Sequence, residues 1–110
     1  MEIREEKAGN AVLFRLEGRL DATTSTELEQ RVTSSIDNGA RGVAMDLSAL
    51  EYISSAGLRV LLSAAKRLGG SGLALFAMQE AVRKVFDIAG FSAFLATFGS
   101  EDEALRSLGR

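Results

Sequence analysis

The chain has 110 residues, of which 46% are hydrophobic and 25% charged, and its net charge is −2. This length suits one domain with one core, and the lack of a basic stripe argues against nucleic-acid binding. Because the sequence contains neither His nor Cys, disulfides, Cys/His zinc sites, thiol nucleophiles and Ser–His–Asp triads are excluded. No apolar run reaches the roughly 18 residues of a membrane span. The charged start lacks a signal-peptide core, so we expect a cytoplasmic protein without membrane association.

The first predicted elements are two strands joined by a tight turn. Residues 2–7 are charged apart from Ile3, as in an edge strand that resists pairing with another chain. Gly9 and Asn10 form a turn pair, and residues 11–17 then alternate in hydrophobicity. This pattern predicts a β-hairpin.

A helix is predicted after the end of the second strand. Glu27 lies three residues after Thr24, which is the spacing of a capping box with Thr24 at the helix start. Asn38 and Gly39 are typical of a helix end. They follow an apolar stripe formed by Leu28, Val32 and Ile36.

The central segment has the pattern of a strand, a short loop and a helix. Residues 42–47 form an apolar run, and residues 55–68 carry apolar side chains at the spacing of one helix face. This stripe consists of Leu58, Leu61, Leu62, Ala65 and Leu68. Ser54 and Ser55 lie at the changeover, where the carboxyl end of a strand meets the free N–H groups of a helix start. An anion on or beside a serine is favoured at such a position.

The remaining elements continue the alternation. Residues 73–78 are almost entirely apolar, as in a strand buried on both faces. A third helix ends at Gly90, residues 96–98 form a short strand, and Ser100 and Glu103 have capping-box spacing for a last helix. We assign to the core Phe86, Phe91, Phe94 and Phe98. The order β-β-α-β-α-β-α-β-α predicts an α/β fold, a small mixed sheet of about five strands with about four helices.

Ser55 has two compatible interpretations. As an N-cap residue, it would hold the first turn of the helix. As a phosphate acceptor, it would need no base of its own because a kinase supplies one, and a phosphoserine adds about −1.5 to −2 charges. A nucleophilic role is disfavoured because Ser55 lacks a local base. The residues therefore favour a switch over an enzyme.

Asp21, Gly57 and Arg59 are further candidate site residues. Asp21 is either a simple turn residue or a neighbour of Ser55, if the strands that precede the two residues are adjacent and parallel. Gly57 either packs closely against the sheet or leaves room for the backbone of a partner. Arg59 lies off the apolar stripe, on a solvated face or at an anion site.

Three motifs, in order along the chain, resemble a STAS domain of the bacterial anti-anti-sigma factor type. The first is Gly18-Arg19-Leu20-Asp21, similar to the family's Gly-x-Leu-Asp. The second joins Asp46-Leu47-Ser48 to Ser54-Ser55-Ala56-Gly57-Leu58, and the third begins at Val82 and is similar to the family's penultimate helix and following turn. Many members carry Asp directly before the acceptor serine, where this chain has Ser54. The resemblance implies that residues 1–110 form a single STAS domain with helices mostly on one side of the sheet.

The resemblance also implies a partner switch. Family members bind an anti-sigma factor that is also a serine kinase of the GHKL ATP-binding class, and this binding frees a sigma factor. The kinase phosphorylates a serine at the start of the second helix, the phosphorylated form no longer binds, and a serine phosphatase resets it. By position the acceptor is Ser55, with Ser54 as the alternative. The expected partner-binding residues are Asp21, Thr23, Ser54, Ser55, Gly57, Leu58 and Arg59.

Two other functions stay open. A constitutive regulatory or scaffold subunit of a signalling or ABC-transporter complex would use the serine only as a helix cap. A nucleotide or small-molecule sensor is less favoured because the chain has no phosphate-loop motif. We expect no cofactor and no metal. The resemblance suggests a monomer, although an exposed edge strand could pair.

Overall fold

Residues 1–109, the part of the chain that the computed structural model describes, form a five-stranded sheet and four α-helices. The strands are β1 (Glu2–Ala8), β2 (Ala11–Leu20), β3 (Gly42–Ile53), β4 (Leu73–Phe76) and β5 (Ala96–Phe98). The helices are α1 (Ala22–Asp37), α2 (Ser55–Arg67), α3 (Glu80–Ile88) and α4 (Glu101–Ser107), with a short 3-10 helix (Phe91–Ala93) before β5. The predicted α/β class and element order are confirmed.

The strands lie in the sheet in the order in which they occur along the chain. β1 and β2 form the predicted antiparallel hairpin, whereas β2, β3, β4 and β5 pair in parallel. Each parallel connection needs a crossover, so α1 and α2 begin where β2 and β3 end. We call this edge the carboxyl rim: the ends of β2 and β3 with the residues that follow them, Asp21, Ser54 and Ser55.

Helices cover the two faces of the sheet unequally. Successive strand residues face opposite sides, so Phe14 and Leu13 of β2 belong to two different apolar clusters. The larger cluster contains side chains from three helices, namely Leu28 of α1, Leu61 of α2 and Phe86 of α3. The smaller cluster holds Ala104 of α4. Most of the helical cover is therefore on one side, as the resemblance implied.

β3 is longer than its sequence pattern predicted. The expectation of a strand that ends at residue 47 before a loop is wrong, because the strand continues to Ile53. Its register against β2 shifts between Arg15 and Glu17 and again between Gly18 and Arg19. Each shift adds one residue to β3, so its inward positions are three residues apart rather than two. These buried positions are Leu47, Leu50 and Ile53.

The segment after α3 differs from the prediction that its phenylalanines all lie in the core. Phe86 is buried, but Phe94 is 70% exposed. Gly90 adopts a left-handed conformation with φ of 76°, and the 3-10 helix that follows turns Leu95 inward instead, where it is buried. The apolar spacing alone did not distinguish Phe94 from Leu95.

Arg15 of β2 connects three strands and α4 through ion pairs. Its Nε donates to Glu6 Oε2 of β1 at 2.7 Å, and its Nη1 donates to Asp46 Oδ2 of β3 at 2.9 Å and to Glu101 Oε1 of α4 at 3.0 Å. The side chains of Arg15 and Asp46 are 27% and 15% exposed, so water screens this pair less than a surface pair. The network holds α4 against the face of the sheet that carries the smaller apolar cluster.

The same contacts shift the pKa values of the network. Burial opposes ionisation of Asp46, but hydrogen bonds from Ser48 and Arg15 outweigh it and hold the pKa of Asp46 below its usual range. The hydrogen bond from Arg15 likewise lowers the pKa of Glu6. The bond to Glu6, followed by the bond to Glu101, raises the pKa of Arg15. A carboxyl whose pKa is lowered in the folded state stabilises that state above its unfolded pKa, and this contribution is lost as the pH falls through the folded pKa.

Gly57, in the first turn of α2, allows that helix to lie directly on the sheet. A Cβ atom at this position would lie 2.8 Å from Leu20 Cδ2 and 2.9 Å from Ile53 Cγ1. Both neighbours are buried core side chains, with 0% and 2% exposure, so a Cβ atom here would require the core to shift. Of the two interpretations of Gly57, the structure supports close packing.

We expect Asp46→Asn to lower the free energy of unfolding by about 1 kcal/mol at neutral pH, because it removes the charge that pairs with Arg15. The difference from the wild type should shrink as the pH falls below about 4, as the native carboxyl becomes protonated. Urea unfolding at a series of pH values measures this. Asp37→Asn, which removes only the exposed pair with Arg67, is the control. A difference that does not change with pH would contradict the assignment.

We expect Gly57→Ala to destabilise the fold by about 1–2 kcal/mol. Overpacking against Leu20 and Ile53 costs roughly 1–3 kcal/mol, and the better helix propensity of Ala returns at most ~1 kcal/mol. Chemical denaturation measures the change. Ser63→Ala, at an exposed position of the same helix, controls for helix propensity and should not destabilise. A Gly57→Ala variant as stable as the wild type would contradict the packing interpretation.

Candidate functional site

The parallel pairing of β2 and β3 brings the predicted site residues together. Leu20 and Ile53 are register partners at the ends of these strands. Ser54, the next residue, donates its backbone N–H to the Leu20 carbonyl at 2.9 Å. Asp21 and Ser54 therefore leave the sheet side by side. Because β2 and β3 are adjacent and parallel, Asp21 and Ser55 lie on the same rim, as expected from the sequence for that arrangement.

Asp21 is the N-cap of α1. Its Oδ1 accepts hydrogen bonds from the backbone N–H groups of Thr23 at 3.0 Å and Thr24 at 2.9 Å, and Thr24 Oγ1 accepts from the Asp21 N–H at 2.9 Å. The prediction that Thr24 caps the helix with Glu27 is thus wrong. Thr24 is the third helical residue and reciprocates the cap, because the carboxylate three residues earlier is also a cap-forming side chain.

The cap leaves part of the Asp21 carboxylate available. Hydrogen bonds from the N–H and hydroxyl of Thr24, and from Thr23, hold the pKa of Asp21 below its usual range, so the group is charged at neutral pH. All of these bonds reach Oδ1, and Oδ2 makes no hydrogen bond to any residue that the structure describes. A structural role and a partner contact are therefore compatible at Asp21. Thr23, two residues on, is exposed.

The two serines at the start of α2 have different surroundings. Ser54 has an extended backbone and is the N-cap, and its Oγ accepts the Gly57 N–H at 3.2 Å. The interpretation of Ser55 as the cap is therefore wrong by one residue, because both serines are suitable cap types and only the backbone conformation separates them. Ser55 is the first helical residue and is exposed. Its hydroxyl makes no hydrogen bond within residues 1–109.

Some of the residues after Ser55 are buried and support α2, and others are exposed. Gly57 and Leu58 are buried beneath the rim, where they fix α2 against the sheet. Arg59 is exposed and forms no ion pair with another residue of the described chain. Of the predicted partner-binding set, the rim thus presents Thr23, Ser55 and Arg59 to solvent, with Asp21 and Ser54 partly exposed.

An exposed pair of side chains beside the rim was missed by sequence reasoning. Arg19 of β2 lies over the ring of Tyr52 of β3, with Cζ 4.2 Å from the ring centroid. The two are register partners across the bulged part of the sheet. Tyr52 is 38% exposed, so it is available to a partner surface. Only the shifted register places these residues opposite each other, and no local pattern predicts it.

A cleft of about 570 Å³ lies at the opposite end of the molecule, between β1 and the second half of α1. Its lining includes Glu5, Lys7, Arg31 and Ser35, but none of the rim residues. Within residues 1–109, no group of three acidic side chains is arranged to hold a metal ion. No helix in that range is long and apolar enough to cross a membrane.

The sequence of this chain is similar to those of known proteins. A sequence profile of the STAS domain matches residues 2–104. A Bordetella bronchiseptica protein named as an anti-sigma factor antagonist, BtrV, is 35% identical over 106 residues, which cover 94% of this chain and 91% of BtrV.

Solved structures share the fold over almost the whole chain. An anti-sigma factor antagonist from Mycobacterium paratuberculosis has a TM-score of 0.88 and 24% identity, covering 99% of this chain and 94% of that protein. The anti-sigma factor antagonist SpoIIAA in its unphosphorylated form has a TM-score of 0.83 and 24% identity, covering 99% and 98%. The Bacillus SpoIIAA in its phosphorylated form has a TM-score of 0.73 and 23% identity, covering 96% and 97%. These structures show the shared fold, and the profile match and the identity with BtrV show that this chain belongs to the STAS domain family.

Proposed function

We propose that this protein is an anti-sigma factor antagonist controlled by phosphorylation of Ser55. It binds an anti-sigma factor that is also a GHKL-class serine kinase, and this binding releases a sigma factor. The observation that carries the proposal is the exposed Ser55 hydroxyl, without a hydrogen bond in residues 1–109, on the rim that also carries Asp21. The name of BtrV supports the antagonist part of this proposal. The protein acts by binding, without a catalytic residue or cofactor of its own, in the cytoplasm where sigma factors act.

The surroundings of the two serines favour Ser55 over Ser54 as the phosphate acceptor. A kinase must reach the hydroxyl, and Ser55 is the more exposed of the two. The Ser54 oxygen already accepts the Gly57 N–H, and loss of an N-cap bond typically costs about 1 kcal/mol. Modification of Ser55 leaves this cap intact. The chain can therefore be switched without weakening α2.

A phosphate on Ser55 would change the rim more than the fold. It adds about −1.5 to −2 charges at the start of α2, where the helix dipole and free N–H groups tolerate an anion. Asp21 is already negative on the same rim, so a partner that accommodates one carboxylate would face a much stronger negative field. Like-charge repulsion and the cost of desolvating the phosphate oppose binding. A serine phosphatase would restore the binding form.

The proposal predicts opposite results for two substitutions of one residue. Ser55→Asp should weaken binding to the GHKL-class anti-sigma kinase by at least about tenfold, which is ~1.4 kcal/mol. Ser55→Ala should bind like the unmodified protein but accept no phosphate. Isothermal titration calorimetry measures the affinities, and incubation with the kinase and ATP measures the phosphate accepted.

Ser54→Ala is the matched control, because it removes the neighbouring hydroxyl and should still accept one phosphate. Thermal unfolding of each variant separates a lost cap from a lost contact. Equal affinities of Ser55→Asp and Ser55→Ala would contradict the switch and favour the constitutive regulatory subunit instead.

A further inference from the structure

We infer that Arg59 binds the phosphate of phosphorylated Ser55 within the same chain. This inference rests on the proposed modification of Ser55. Its result is an internal ion pair on the surface of α2 that forms only in the phosphorylated state. It assigns to Arg59 a regulatory role that the unmodified protein does not use.

The position of Arg59 on α2 supports this pairing. Residues four apart on a helix are neighbours on its surface, with Cβ atoms about 5–6 Å apart. Ser55 and Arg59 are four apart and both exposed, while Leu58 between them faces the core. The two side chains therefore leave α2 on the same outward side. A phosphate on Ser55 is within reach of the Arg59 guanidinium without any movement of the backbone.

Arg59 is also available to pair with a phosphate on Ser55. It forms no ion pair within the described part of the chain, whereas Arg19, another cation near the rim, is stacked on Tyr52. Lys66 and Arg67 lie at the far end of α2. At a rise of 1.5 Å per residue, they are more than about 15 Å from Ser55 along the helix. Among the cations of α2, only Arg59 is adjacent to Ser55.

The chemistry of the pair is favourable. A guanidinium presents a planar fork of N–H donors that matches two phosphate oxygens, and this bidentate pairing is stronger and more directional than that of an ammonium. Asp21 carries a negative charge on the same rim and repels the phosphate. The combined field directs the phosphate away from Asp21 and towards Arg59.

The pairing changes two features of the rim at once. In the unmodified chain, Arg59 is an exposed cation that a carboxylate of the partner can contact. In the phosphorylated chain, the guanidinium is occupied by the phosphate. A partner then meets added negative charge and loses a positive contact, so one modification acts twice on the same surface.

The test places phosphoserine at position 55 during synthesis of the full chain, so that no kinase is needed. The pKa of the phosphate is measured by ³¹P NMR titration in the parent and in variants. Pairing with Arg59 stabilises the dianion, so Arg59→Gln should raise the phosphate pKa by about 0.2–0.4 at low salt. Arg59→Lys should give a smaller rise, because an ammonium keeps the charge but not the fork. High salt should reduce these differences.

Two controls carry the same neutral substitution elsewhere. Lys66→Gln, at the far end of α2, and Arg19→Gln, on β2, should leave the phosphate pKa unchanged. An Arg59→Gln value equal to the parent value would overturn the inference, as would a shift that appears with Arg19→Gln instead. These results do not depend on a binding partner. A failed Ser55 switch in the binding assay would overturn the proposed function but would not alter the measured pKa.

Discussion

The hydrogen bond between the Ser54 N–H and the Leu20 carbonyl holds the ends of β2 and β3 level with each other. Because these strands are parallel neighbours, the residues that follow them are adjacent although they are more than thirty positions apart in the sequence. Each strand then begins a helix through a side-chain cap, Asp21 for α1 and Ser54 for α2. The rim is thus fixed by backbone pairing at the ends of the two strands and by side-chain caps at the starts of the two helices. The side chains of Ser55 and Arg59 make no hydrogen bond or ion pair within residues 1–109, so they do not help to maintain this shape and are available for partner contacts.

The division between support and surface continues into α2. Gly57 and Leu58 are buried and hold the helix against the sheet, while Ser55 and Arg59 are exposed. A chemical change at Ser55 would therefore alter the outer surface of α2 without disturbing the core. Arg15 lies in β2, away from the first turn of α2. Its ion pairs join β1, β3 and α4 on the face of the sheet opposite α2. Under the proposed switch, this separation would combine a fixed scaffold with a rim whose charge changes on phosphorylation.

The sequence predicted much of this architecture, because most of its signals are local. Alternation of strand and helix patterns predicted the element order, and Ser100 caps α4 as its spacing with Glu103 indicated. The end of β3 was not predicted, because two register shifts change the spacing of its buried residues. The caps at Asp21 and Ser54 were misassigned by a few residues, because adjacent polar side chains are chemically equivalent as caps. The Arg19–Tyr52 contact and the exposure of Phe94 depend on tertiary packing, which periodicity does not encode.

In the proposed switch, Ser55, rather than the capping Ser54, carries the regulatory phosphate. The most direct measurement is mass-spectrometric mapping of the protein isolated from its native cells, before and after phosphatase treatment. Cleavage after Arg41 and Arg59 releases residues 42–59, a peptide that contains both serines and Ser48, and fragmentation assigns the modified position. We predict one phosphatase-sensitive phosphate, on Ser55. A phosphate on Ser54 or Ser48, with Ser55 unmodified, would contradict the account.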